Sequence, residues 1–261
     1  MQGNKSKTRQ GIPLYSLTFG LLSILILAII ALVSSWLLPP IRSAKRLALN
    51  SRAKTEMASL VAAITSYQTA YGLFPLPSNL PTNSTSDFTF GTFGTSAAAI
   101  GITNPAGYQA NNSDLMAILL DLTKFPNGKE TVNADHSRNP RRTPFLNVRM
   151  SEDTNSPGVG LDGVYRDPWG NPYIITLDLN NDTKSRDAFY RLASVSEIDP
   201  SSTSGLNRLF RFTPPPYNSP ETRDAFEAQA TIMVWSLGPD GTADAHLKAD
   251  KGVNKDNILS W

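Results

Sequence analysis

The apolar residues nearest the N-terminus form one continuous run at residues 14–38, and no charged residue occurs between positions 11 and 41. At about 1.5 Å per residue, roughly 25 helical residues can cross a hydrocarbon core of ~30 Å. This pattern predicts a transmembrane helix at residues 12–41. A cleaved signal peptide is the competing interpretation, but its apolar core is about 7–15 residues long and is not followed by a pair such as Pro39 and Pro40.

The next stretch, residues 42–72, alternates apolar and polar positions with helical spacing and predicts an amphipathic stalk helix. The apolar positions that recur every three or four residues are Met57, Leu60, Val61, Ile64, Tyr67 and Tyr71. This spacing places them on one face of a helix. Gly72 and Pro75 should end the helix. We expect the apolar face to pack under a globular domain.

Residues 73–261 are predicted to form that globular head domain. β-Branched and aromatic residues predict strands at residues 145–150, 163–167, 173–179 and 230–237. A short helix should begin at Ser113, which is a suitable capping residue. Loop-rich stretches are predicted at about residues 76–112 and 180–220. The expected fold is α+β, with a long N-terminal helix packed on a small antiparallel sheet.

Between the second and third predicted strands lies the sequence YRDPWGNPYIITLD, which predicts a tight reversal of the chain. The aspartate can accept hydrogen bonds from the backbone beyond it, the prolines restrict φ, and the glycine permits a positive φ. The residues of this turn motif are Asp167, Pro168, Trp169, Gly170, Asn171 and Pro172. We expect the motif to be an architectural reversal between the first two strands of the sheet, with Trp169 packed against the head domain.

Charge is distributed unevenly along the chain, although the net charge is only +2. Eight of the 24 basic residues precede the first acidic residue, Glu56, which leaves 16 basic residues against all 22 acidic ones in the remainder. Positive charge beside an apolar segment suits anionic lipid head groups, and the head lacks the basic excess typical of nucleic-acid binding. The chain has no cysteine, which excludes disulfides, thiolate metal sites and a cysteine nucleophile.

No nucleotide-binding or catalytic motif is recognisable in the sequence. The loop that begins at Asp178 resembles an EF-hand only superficially, because Thr183 stands at the position of the required glycine and Phe189 at that of the terminal glutamate. The two histidines, His136 and His246, lie in separate polar stretches and are interpreted as surface residues.

Four features in this order resemble one protein family: the apolar N-terminal helix, an amphipathic continuation ending in YGLFP, the motif DPWGNPY, and the C-terminal pair SLGPDG and DNILSW. Together they are similar to the major pseudopilin of type II secretion systems, the general secretion protein G family within the type IV pilin-like superfamily. The similarity covers the N-terminal third and the last hundred residues or so. The stretches at about residues 78–160 and 180–228 resemble insertions relative to shorter members.

The resemblance implies a structural subunit and not an enzyme. Members of the family are single-pass proteins of the inner membrane with a basic cytoplasmic leader, here residues 1–11, and a periplasmic head. The implied partners are the lipid bilayer, prepilin peptidase, other pseudopilins, the inner-membrane secretion platform and further copies of the chain in a helical fibre. No nucleic-acid partner is implied.

The leader departs from the family pattern at the position of a glutamate. Cleavage between Gly11 and Ile12 would leave Ser16 at that position. The alternative register, with cleavage between Thr18 and Phe19, leaves Ser23 there. Because neither register restores the carboxylate, two functions stay open: a fibre subunit that supports protein export, and a membrane-anchored extracytoplasmic binding module that does not assemble.

The resemblance also implies a structural calcium site in the C-terminal loop. Asp240 and Asp256 are the implied side-chain ligands, with the backbone carbonyl of Leu237 as a further ligand and the side chain of Asn257 as a reserve ligand. Carboxylates and carbonyls are the oxygen donors that Ca²⁺ prefers. Two other acids of the loop, Asp244 and Asp250, are reserve ligands.

Overall fold

The computed structural model describes residues 14–80, 84–91, 110–213 and 216–261, and within the first helix it describes side chains at residues 19, 22–30 and from 43 onward. The chain divides into two compact units, Met1–Ala48 and Leu49–Trp261. The first helix, α1, spans Leu14–Tyr71 and includes both prolines of the predicted boundary. It ends as predicted at Gly72, which has a φ of +73° and donates its backbone N–H to the carbonyl of Gln68.

The second unit is an α+β domain built on a small antiparallel sheet. The strands are β1 (Phe88–Phe90), β2 (Gly158–Val159), β3 (Tyr165–Arg166), β4 (Ile174–Leu177), β5 (Ile232–Ser236) and β6 (Ile258–Leu259). The main sheet has the order β1-β4-β5-β6, and β2 pairs with β3 in a separate two-stranded ladder. The short helices are α2 (Ser113–Leu119), α3 (Ala193–Ser196) and α4 (Pro220–Arg223). The α+β class with a small antiparallel sheet is therefore confirmed.

One face of the sheet packs against α1, as the stripe of apolar residues predicts. Met57, Leu60, Ile64 and Tyr67 are at most 1% exposed and belong to one hydrophobic cluster with α2 and the β-strand residues on that face. Val61 and Tyr71 of the predicted stripe are partly buried against the same cluster, and so is Trp169 of the turn motif. The predicted core-facing side of the helix is thus confirmed within the second unit.

The opposite face of the sheet is covered by the second insertion, which the sequence suggested to be only a loop. Residues Phe189, Tyr190, Val195, Leu209 and Phe226 are buried and form a second cluster with Trp235 of β5. Consecutive residues of β4 and β5 therefore contact different clusters, and both strands are fully buried. Burial on both faces explains why ATIMVWSL is an almost unbroken apolar run.

Three local predictions are wrong. Residues 145–149 form no strand, and the neighbouring Met150 makes only an isolated bridge to Val159. The residue predicted to cap α2, Ser113, lies inside the helix, whose capping position is held by Asn112. The turn motif does not join two neighbouring strands of the main sheet, because β3 pairs with β2 and the partners of β4 are β1 and β5.

The transmembrane helix predicted at residues 12–41 includes residues outside the described set and stays a prediction. Among the helices formed by described residues, none has both the length and the hydrophobicity needed to cross a membrane.

Candidate metal site and its supporting turn

The turn motif is organised by the carboxylate of Asp167, which is fully buried. One of its oxygens accepts the backbone N–H groups of Trp169 at 2.8 Å and Asn171 at 2.9 Å. The other oxygen accepts the hydroxyl of Ser236, at the end of β5. Burial raises the pKa of the Asp167 carboxyl, and these donors act in the opposite direction. The turn is therefore closed by one side chain that also fixes it to the main sheet.

The two strand ends that flank the turn are held together by Asn112, which is also fully buried. Its amide nitrogen donates to the carbonyls of Tyr165 at 2.9 Å and Tyr173 at 2.8 Å. Its amide oxygen accepts the backbone N–H of Tyr165 at 2.8 Å. Because Asn112 directly precedes α2, this clamp connects that helix to the DPWGNPY motif.

The turn also contacts the SLGPDG loop, so the structure brings two distant motifs together. The side-chain nitrogen of Asn171 donates to the carbonyl of Gly238 at 2.9 Å. Gly238 has a φ of +71°, and a Cβ added there would lie 2.3 Å from the carbonyl oxygen of Asp256. Only glycine fits this close approach. The three motifs DPWGNPY, SLGPDG and DNILSW therefore meet around one loop.

Within this loop, the two predicted acidic ligands interact electrostatically. Burial raises the pKa of Asp256, and the nearby negative charge of Asp240 raises it further. One oxygen of the Asp256 side chain and the side-chain oxygen of Asn257 are buried and have no hydrogen-bond partner among the described residues. Buried oxygens without a donor are costly, and a bound cation is one way to satisfy them. These oxygens are of the kind that Ca²⁺ prefers.

The other predicted and reserve ligands are arranged differently. Leu237 directly follows β5 and is buried. Asp244 accepts the backbone N–H of His246 at 2.8 Å in a local turn, and Asp250 pairs with Lys251 at 3.2 Å. Across the described ranges, no group of three or more His, Cys, Asp or Glu side chains could hold a metal ion. Asp240 is exposed and accepts the backbone N–H of Thr242 at 2.9 Å, so it too has a partner in a local turn.

The predicted processing residues fall at the edge of the described region. Gly11 and Ile12 lie outside the described residues. Thr18 and Phe19 belong to α1, and the side chain of Phe19 is 73% exposed.

Sequence reasoning missed the contact that joins α1 to the turn motif. The hydroxyl of Tyr173 donates to the carboxylate of Glu56 at 2.6 Å, and Glu56 also pairs with Arg52 at 2.8 Å. Burial and the adjacent Glu56 carboxylate raise the pKa of Tyr173 far above its usual range. Glu56 is a polar residue one position before Met57 of the apolar stripe. Its place in the helical pattern does not reveal a partner 117 residues away in the sequence.

Comparisons with protein-family models, with curated proteins and with solved structures find no match to this chain.

Proposed function

We propose that this chain is a structural subunit of a type II secretion pseudopilus or a related pilin-like fibre, anchored in the inner membrane with its head in the periplasm. In this role it supports protein export across the cell envelope and has no catalytic activity. Its proposed partners are further copies of itself, other pseudopilins, the inner-membrane platform and prepilin peptidase.

The observation that carries the proposal is the meeting of the three motifs around one loop beside the sheet that packs on α1. The hydrogen bonds from Ser236 to Asp167 and from Asn171 to Gly238 join the DPWGNPY and SLGPDG motifs, and the close approach of Gly238 to Asp256 joins DNILSW to them. The three short motifs that resemble a pseudopilin in the sequence therefore contact one another in the fold. This arrangement supports an architectural role for the motifs.

Apolar side chains of the first unit provide a second line of support. Phe19, Leu22, Ile24, Leu27 and Ile30 are each at least half exposed in the isolated chain. A contiguous apolar surface of this kind is rare on soluble monomers and marks contact with lipid or with another protein chain. In the proposed role, lipid covers this surface before assembly, and the corresponding helices of neighbouring subunits replace lipid afterwards.

Photocrosslinking can test both contacts, with a benzoylphenylalanine placed at Phe19. Phe212, at 75% exposure in the head, provides a matched control position because Phe19 is 73% exposed. In cells that contain the secretion machinery, the probe at position 19 should give a ladder of crosslinked subunits, and the control should give a different pattern. Adducts with lipid alone would instead support a membrane-anchored binding module that does not assemble. Absence of both kinds of adduct would refute both functions.

Mass spectrometry of the mature N-terminus provides an independent test. A shortened chain that begins with a methylated Ile12 or Phe19 is expected if prepilin peptidase processes the protein. A chain that still begins with Met1 would contradict this part of the proposal.

We further propose that the loop between Asp240 and Asp256 binds Ca²⁺ as a structural ion. Asp240, Asp256, Asn257 and the Leu237 carbonyl would hold it, and its charge would offset the repulsion between the two carboxylates. Free Ca²⁺ at a hundredfold excess over Kd stabilises a one-site protein by about 2.7 kcal/mol. At about 2–4 °C per kcal/mol for a domain of this size, Tm should rise by roughly 5–10 °C.

Thermal melting with calcium and with a chelator measures this shift. Asp240→Ala should abolish the shift, whereas Asp250→Ala should retain it, because Asp250 is exposed and pairs with Lys251. A chelator-insensitive Tm in the unmodified chain would eliminate the calcium site and leave the fibre proposal intact.

A further inference from the structure

A second polar site lies in the loop that follows α2, far along the chain from the C-terminal motifs. There, a cavity of 410 Å³ is lined by Thr123, Lys124, Glu130, Ala134, Asp135, His136 and Arg142. This volume falls in the range of about 300–1,000 Å³ that is common for small-molecule sites. The cavity is independent of the proposed secretion role, which assigns no task to these residues.

One wall of the cavity is a histidine held in a defined orientation. The Nδ1 atom of His136 lies 2.8 Å from a carboxylate oxygen of Asp121, and the amide nitrogen of Asn133 donates to the same oxygen at 3.0 Å. Asn133 is fully buried, and its own side-chain oxygen accepts the backbone N–H groups of Arg138 and Asn139. A carboxylate on Nδ1 fixes the ring and leaves Nε2 free for a ligand in the cavity.

The loop is also anchored to α1, so the cavity is preformed. The hydroxyl of Tyr67 donates to the carbonyl of Arg138 at 2.5 Å, and that of Tyr71 donates to the side chain of Asn139 at 2.7 Å. The guanidinium of Arg141 lies over the ring of Tyr71, 5.3 Å from its centroid. These contacts fix the loop against α1.

Backbone strain is concentrated around this cavity. Eight non-glycine residues of the described chain have a positive φ, and four of them are Asp121, Asp135, His136 and Arg142. Such conformations cost of order 1 kcal/mol or more each and tend to cluster at ligand sites. Here three of the four strained residues line the cavity, and the fourth orients His136.

The basic groups at the cavity are available for a ligand. Within the part of the chain that the structure describes, neither Lys124 nor Arg142 forms an ion pair, although Glu130 and Asp135 line the same cavity. Arginine and lysine are the side chains that most often bind phosphate and carboxylate groups. The two unpaired cations therefore favour an anion as the ligand.

We propose that this cavity is a binding site for a small oxyanion, a phosphate or a carboxylate, held by Lys124, Arg142 and Nε2 of His136. Asp121 is a positioning residue that orients the imidazole. Glu130 and Asp135, on the rim of the cavity, repel ligands of high negative charge and so favour a small anion over a polyanion.

The experiment is an NMR titration of the purified full-length chain in non-ionic detergent. The chain has only two histidines, so the imidazole signal of His246 serves as an internal reference for that of His136. Sodium phosphate and sodium acetate are added in separate arms at constant pH and ionic strength. We expect a saturable shift of the His136 signal in at least one arm, and the arm with the tighter binding identifies the class of anion.

Charge-matched variants separate a specific site from general charge screening. The Lys124→Gln/Arg142→Gln double variant should weaken binding about tenfold, since it removes two charge-assisted contacts. The Lys129→Gln/Arg149→Gln double variant removes the same charge from exposed positions outside the cavity and should bind normally. Retention of the His246 signal and of Tm would show that each variant is folded.

A third variant tests the histidine itself. His136→Asn keeps a nitrogen that can donate to Asp121 and suits the left-handed backbone at this position, where φ is +57°, but it removes Nε2. We expect weaker anion binding by this variant with an unchanged Tm, measured by calorimetry because the His136 signal is lost. Shifts that never saturate, or equal loss in both double variants, would overturn the proposal.

Discussion

Asp87 predicts a pH dependence of stability that runs opposite to ordinary acid denaturation. Its side chain lies just before β1, is buried, and accepts the backbone N–H groups of Arg186 at 2.6 Å and Leu179 at 3.2 Å. Burial, together with the neighbouring carboxylates of Asp178 and Asp182, raises the pKa of Asp87 to about 7, despite the two backbone donors. A carboxyl group that is protonated in mild acid therefore links the start of the edge strand β1 to the backbone that follows β4.

The sign and size of the effect follow from proton linkage. With a pKa of about 7 in the folded state and 3.8 in the reference state, the folded chain binds a proton at Asp87 that the unfolded chain releases. The free energy of unfolding therefore contains a contribution from Asp87 that is fully present below pH 3.8 and is lost as pH rises to 7. The total loss is about 4 kcal/mol, at about 1.4 kcal/mol per pH unit.

Urea denaturation of the unmodified chain and of Asp87→Asn measures this contribution. Unfolding is monitored by tryptophan fluorescence at pH values from about 4 to 8.5. The asparagine does not titrate, and any change in its hydrogen bonds shifts stability by an amount that is independent of pH. The difference in unfolding free energy between the two proteins should therefore fall steadily from pH 4 to 7 and be constant above. A difference that does not vary with pH would refute the reasoning, and so would one that rises with pH.

Two further predictions concern the turn and the loop that it contacts. Asp167→Ala removes the acceptor of one buried and two partly buried donors and should lower the free energy of unfolding by about 3–5 kcal/mol. Asp199→Ala, at an exposed aspartate in a comparable turn, should cost under about 1 kcal/mol; equal losses in urea denaturation would contradict this role. Gly238→Ala combines a positive φ with overlap on the Asp256 carbonyl and should cost about 3 kcal/mol, against about 1 kcal/mol for Gly128→Ala, where φ is +86° but no atom lies within 4 Å of the added Cβ. Similar Tm values for both alanine variants would show that the close approach at Gly238 has no energetic importance.

The candidate metal site was only partly predictable. The acids Asp240 and Asp256 could be named because they belong to two short motifs, and burial together with the charge of Asp240 raises the pKa of Asp256. Of the reserve acids, Asp250 pairs with Lys251, whereas Asp244 accepts a backbone N–H in a local turn, as Asp240 also does. The cavity beside His136 was not predicted, because its orienting partner Asp121 lies 15 residues away across a loop with no helical or strand periodicity.

What the sequence determined by itself is the local and periodic part of the molecule. The helical stripe from Met57 to Tyr67, the end of α1 at Gly72 and the turn at Asp167 follow from side-chain spacing and backbone restrictions that act over a few residues. The tertiary structure decided everything that depends on contacts between distant segments. It placed β1 beside β4, covered the second face of the sheet with the insertion around Phe189, and left β3 outside the main sheet. Strand pairing and burial depend on the whole chain. A short apolar segment can form its backbone hydrogen bonds and bury its side chains with several different partners, and only the complete set of contacts selects one of them.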